Sequence, residues 1–131
     1  MDPICLLVAG ALRATLPTSE FTLRWEHSVQ KSAWQEQYRV EGNTLVLAEA
    51  RIESNGAGME PPDGAVLKDG GWSWRPGLAL PALTLTRSSY AADYRLCWQG
   101  ACRELGALVG PTPEGTAVVV QPCSAVTRSP G

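Results

Sequence analysis

Few residues in this chain could do chemistry: one histidine, four cysteines, and some polar side chains that interrupt otherwise apolar faces. Phe21, Leu23 and Trp25 alternate with Thr22, Arg24 and Glu26, and the apolar face runs on to His27. That period of two is the pattern of a half-buried strand. In the next such segment Trp34, Tyr38 and Val40 share a face, and Glu36 falls between them where an apolar residue is expected. An antiparallel hairpin folded around Val29-Gln30-Lys31-Ser32 sets Trp25 near Glu36 and His27 near Trp34. His27 and Glu36 then become diagonal neighbours, within reach of long side chains. A turn at Gly42 returns a third strand with Leu45 beside Val40 and Leu47 beside Tyr38. Continued, that register brings Glu49 beside Glu36 and Arg51 beside Trp34, gathering four polar residues at one end of the face. Shifted by one residue, the same strand turns Val46, Ala48, Ala50 and Ile52 inward instead, a solution that is apolar throughout.

An inward carboxylate is costly unless it has a partner, so Glu36 requires one. Two outcomes fit: a closed ion-pair network that fixes register, or a pocket for a small organic anion. The pocket reading joins His27, Ser28, Lys31, Glu36 and Arg51 with the loop containing Gly56 and Gly58, whose glycines allow positive φ. Antiparallel order places the loops 28–33 and 53–62 at the same end of the sheet. A lone G-x-G is weak as a motif, and a plain connecting loop explains it as well. Catalysis is poorly provided for. Ser28 or Ser54 beside His27 has no nucleophile-elbow context, and a single histidine without nearby cysteine or histidine is weak as a metal ligand. The expectation is a protein that is not an enzyme and uses no metal or cofactor.

The cysteines have a different use. An even number in a short chain suggests disulfides and an oxidising compartment. Tyr94-Arg95-Leu96-Cys97 and Cys102-Arg103-Glu104-Leu105 flank a hairpin tip at Gln99-Gly100, which sets Cys97 opposite Cys102. Cys5 and Cys123 remain to tie the first strand to the last. A four-cysteine zinc site is the rival, but it usually needs two close pairs, and here there is one.

The elements that must position these residues are short strands. At 131 residues, 44% apolar and 18% charged, the chain suits one domain with a real core. Candidate strands include Ile4 to Leu12, Ala65 to Lys68, Gly71 to Trp74, Ala82 to Thr86, Tyr90 to Cys97 and Thr116 to Gln121. Helical periodicity is nearly absent, the best candidate being Arg103 to Val109. The fold expected is all-β, an antiparallel β-sandwich or small β-barrel of about eight strands over residues 1–123, with a polar tail at 124–131. A net charge of -2 without a basic run disfavours nucleic acid. The first apolar stretch falls far short of the ~20 residues of a spanning helix, and it lacks the basic start of a signal peptide.

The stretches F-T-L-R-W-E-H-S-V-Q-K-S-A-W-Q-E-Q-Y-R-V, from Phe21 to Val40, and A-R-I-E-S-N-G-A-G-M-E-P-P, from Ala50 to Pro62, resemble a bacterial family of small domains of unknown function. D-Y-R-L-C-W-Q-G-A-C, from Asp93 to Cys102, is similar to one branch of it. Members are often encoded beside TAXI-type TRAP transporters, carriers that take up organic anions with a binding protein. The resemblance implies a periplasmic accessory or ligand-binding role, with transporter components, their binding protein or a small organic anion as partners. It implies no catalytic activity. A structural adaptor domain that binds a partner protein is the alternative.

Overall fold

The computed structural model describes residues 2–27, 32–53, 63–68, 70–89 and 91–126. The chain opens with β1 (Ile4–Val8) and β2 (Ala11–Leu16), paired antiparallel around Ala9 and Gly10. Both turn residues have positive φ, 51° and 78°, as a tight two-residue hairpin requires. The stretch expected as one strand from Ile4 to Leu12 is thus a hairpin. Its apolar run masked the turn, because Ala9 is not a residue that signals one. All five residues of β1 are buried, which fits its place inside a sheet.

Next come β3 (Glu20–His27), β4 (Ser32–Glu41) and β5 (Thr44–Glu53), an antiparallel meander. Short strands follow: β6 (Val66–Lys68), β7 (Gly71–Trp74), β8 (Leu78–Leu80), β9 (Leu83–Thr86), β10 (Arg95–Trp98) and β11 (Ala101–Glu104). One helical turn, α1 (Leu105–Val109), leads to β12 (Ala117–Pro122) and a 3-10 turn at Cys123–Ala125. β8 lies between Pro76 and Pro81, outside every candidate strand named from the sequence. It and the split first strand are among the reasons that the count is twelve among the described residues, above the expected eight.

Two sheets result, and the expected antiparallel all-β sandwich is observed. The smaller has the order β2-β1-β12-β9. The larger runs β11-β10-β3-β4-β5-β7-β6, with β8 on the first half of β5. Ile4, Leu6, Val8, Leu85, Val118 and Val120 of the small sheet share one core with Phe21, Leu23, Tyr38, Leu45, Leu47 and Leu96 of the large one. Leu105 and Val109 of α1 belong to the same core. Alternation drives this arrangement: Val118 and Val120 are fully buried, while Ala117 between strand and loop is exposed.

Both expected disulfides are formed. Cys97 faces Cys102 across the β10–β11 hairpin, whose tip residues Gln99 and Gly100 have φ of 51° and 79°. Cys5 in β1 joins Cys123 just beyond β12, closing a separation of 118 residues. A second tie holds the end of β9 to α1. Arg87 Nη1 donates to the Gly110 carbonyl (3.3 Å) and Thr112 Oγ1 (2.9 Å), and its Nη2 lies 3.5 Å from Asp93. Asp93 in turn accepts from the Gly106 amide at 2.7 Å. A Cβ at Gly106 would meet Arg87 Nη2 at 2.6 Å and Asp93 Oδ2 at 3.0 Å, so a side chain there would have to displace this ion pair.

The register of β4 on β5 changes along its length. Val40 pairs with Leu45 and Tyr38 with Leu47, but Gln37 pairs with Glu49, leaving Ala48 as an extra residue. This β-bulge reverses the parity of β5. Each of the two alternative registers read from the sequence therefore holds over half of the strand: Leu45 and Leu47 face inward first, then Ala50 and Ile52.

Candidate functional site

Two faces of the large sheet carry the polar residues, and the bulge decides which residue belongs to which. The inner face at the open end of β3 and β4 is aromatic. Trp25 lies opposite Trp34, rings stacked at 5.0 Å and 13°, and Trp34 meets Trp74 edge-on at 6.3 Å. Glu36 sits in this face, part-buried, opposite Leu23. Trp25 Nε1 donates to Glu36 Oε1 at 2.9 Å, and the Tyr38 hydroxyl donates to Glu36 Oε2 at 3.2 Å. Burial first, then the negative charge of Glu36, pushes the Tyr38 hydroxyl well above its ordinary pKa. Burial, Glu36 and Asp93, in that order, raise Tyr94 as well.

This corrects the expected cluster. The β3–β4 ladder is displaced two residues from the expected one, so Trp34 pairs with Trp25, and His27 with Ser32. His27 and Glu36 are therefore not diagonal neighbours. Beyond the bulge Glu36 pairs with Ala50 and Trp34 with Ile52, not with Glu49 and Arg51. Glu49 and Arg51 lie on the opposite face. The partner that Glu36 requires exists, but it consists of neutral donors instead of an ion pair. Ser28, Lys31, Gly56 and Gly58 lie outside the described residues. The ends of β3, β4 and β5 from which their loops depart do lie at one end of the sheet.

The outer face presents what the sequence reading missed. Strand partners there run Glu104, Arg95, Arg24, Gln35, Arg51, Ser73 across six strands. Arg51 Nη1 donates to Ser73 Oγ at 3.2 Å, and its Nε lies 3.7 Å from Glu53. Arg24 and Arg95 stand directly opposite one another, exposed, and make no hydrogen bond or ion pair among the described residues. Like charges directly opposed destabilise a strand pair. The next row toward the loops is Glu26, Ala33, Glu53. A cleft of about 360 Å³ is lined by Arg24, Arg95, Gln35, Glu26, Ala33 and Glu53 among others. No single signal in the sequence marks this row, because it needs β10 to lie beside β3 and the bulge to reverse β5.

Among the described residues no group of histidine, cysteine, aspartate or glutamate could hold a metal ion, and no helix is long and apolar enough to cross a membrane. The fold and its charged cleft define a disulfide-stapled all-β domain with a polar ligand-sized groove on one sheet. The chain belongs to the family described as a domain of unknown function (DUF1850), which matches residues 21–105. That span takes in the large sheet almost whole and, of the small sheet, only β9. No curated protein and no solved structure matches the chain.

Proposed function

We propose that this chain is a non-catalytic binding module that serves a TAXI-type TRAP transporter for organic anions and works in the periplasm. The observation that carries the ligand-binding part is the Arg24–Arg95 pair: two opposed guanidiniums without a hydrogen bond or ion pair among the described residues, beside Gln35 in an open cleft. A carboxylate placed between them would accept from both and relieve their repulsion. The transporter association is what the resemblance of Phe21 to Val40 and Ala50 to Pro62 implies. Two disulfides favour an oxidising compartment.

The adaptor reading has its own support. Edge strand β6 exposes Val66 and Leu67, at 62% and 63%, and among the described residues no strand pairs with its outer edge. Thermal-shift measurements with a panel of mono- and dicarboxylates, and with the neighbouring transporter's binding protein, separate the two. Organic anions that raise the melting temperature of the wild type but not of Arg24→Ala support the ligand-binding module. A binding protein that co-purifies while no organic anion shifts the melt favours the adaptor.

A further inference from the structure

We infer that the outer-face cleft selects a zwitterionic ligand, one carrying a carboxylate and, a few bonds away, a cationic amine. This rests on the proposed binding role and names the ligand class of that same site. The cleft holds two rows of opposite charge. Arg95, Arg24 and Gln35 form one across β10, β3 and β4; Glu26 and Glu53 flank Ala33 in the next. Rows two residues apart along a strand are separated by about 7 Å. Strands two apart are about 10 Å apart, so Glu26 and Glu53 stand on either side of a floor made low by the Ala33 methyl.

Charge balance decides the class. Two arginines line the cleft, Arg24 and Arg95, against four carboxylates, Glu26, Glu53, Asp93 and Glu104. Asp93 is committed to Arg87 and the Gly106 amide. Glu104 stands at the end of the arginine row, opposite Arg95, which leaves Glu26 and Glu53 as the acids of the facing row, with Glu53 loosely shared with Arg51 at 3.7 Å. A dicarboxylate that bridged both rows would place one negative group between Glu26 and Glu53. A diamine would place a positive group between the two opposed guanidiniums. Only a ligand with one charge of each sign satisfies both rows. Its carboxylate accepts from Arg24, Arg95 and the Gln35 amide, and its ammonium donates to Glu26 and Glu53 above Ala33.

Three probes with the same five-carbon chain test this directly: glutarate, δ-aminovalerate and cadaverine. Titration calorimetry on the full chain with both disulfides intact is expected to give a Kd for δ-aminovalerate at least tenfold below that of either symmetrical probe. Amide shifts on binding should centre on Arg24, Ala33, Gln35 and Arg95. The double variants Arg24→Gln/Arg95→Gln and Glu26→Gln/Glu53→Gln should each remove the tenfold margin while their melting temperatures stay near the wild type, since all four side chains project from the solvent-facing side of the sheet. Glutarate binding as tightly as δ-aminovalerate overturns the zwitterion and leaves the organic-anion reading standing. Binding of none of the three at millimolar concentration overturns both.

Discussion

Glu36 is a carboxylate on a core-facing surface whose donors are an indole and a phenol. Replacing it with alanine removes the acceptor of both donors in a part-buried site. At roughly 1 to 3 kcal/mol for an unsatisfied buried group, Glu36→Ala should lose about 2 kcal/mol or more in urea unfolding. Glu36→Gln keeps an acceptor oxygen and should lose less than half as much. Tyr38 adds a pH dependence. Its phenol titrates higher in the folded state than the ordinary value near 10. The stability it contributes is therefore whole below pH ~10 and is lost as pH rises further, while the unfolded chain ionises. Urea midpoints of the wild type should fall more steeply above pH 10 than those of Tyr38→Phe. That Glu36 needs a partner was legible from its place between Trp34 and Tyr38. Which partner was not, because a ladder displaced by two residues keeps every face unchanged and alters only who stands beside whom.

At the scale of the strand, the bulge at Ala48 matters most. It lets β5 present Leu45 and Leu47 to the main core and Ala50 and Ile52 to the aromatic end, with Glu49 and Arg51 outside. A ladder without the bulge would instead pair Ala48 with Gln37. Glu49 and Arg51 would then turn inward, and Ala50 and Ile52, now 2% and 1% exposed, would turn out. Exposing Ile52 alone forfeits about 2 kcal/mol of apolar burial, and two inward charges add several more. Deleting Ala48 sets Leu47 next to Glu49 and keeps every other pair and face, so that variant, like Ala48→Gly, should retain a cooperative thermal transition. Both registers were visible in the sequence, one carried by Leu45 and Leu47 and the other by the apolar run of Val46, Ala48, Ala50 and Ile52. The choice between them was not, because the chain takes both in turn, and nothing in Leu47-Ala48-Glu49 marks the change.

The whole molecule is held by two bonds of very different reach. In the chain-entropy description a crosslink over 118 residues stabilises by about 5 kcal/mol and one over 5 residues by about 2. Cys5→Ser/Cys123→Ser should accordingly lower stability at least twice as much as Cys97→Ser/Cys102→Ser, measured by urea titration without reductant. The hairpin bond was legible because Gln99-Gly100 fixes its turn, and the terminal bond followed from the cysteines left over. The two-sheet architecture was legible from short alternating segments. The charged cleft was not, since its two arginines are 71 positions apart (95 − 24) and meet only through the pairing of β10 with β3.

The bond between Cys5 and Cys123 also sets how the domain responds to force. Tension applied at the two ends passes through Cα atoms 4.9 Å apart and a single covalent bridge. The sheets between them carry no load. Strung in a tether, the oxidised domain is an inextensible knot that neither unfolds nor lengthens under pulling. Reduction of that one bond puts 118 residues into the line of force, roughly 400 Å of new contour at ~3.4 Å per residue. In a single-molecule stretching experiment the long extension step should be absent under oxidising conditions and appear only after reductant is added.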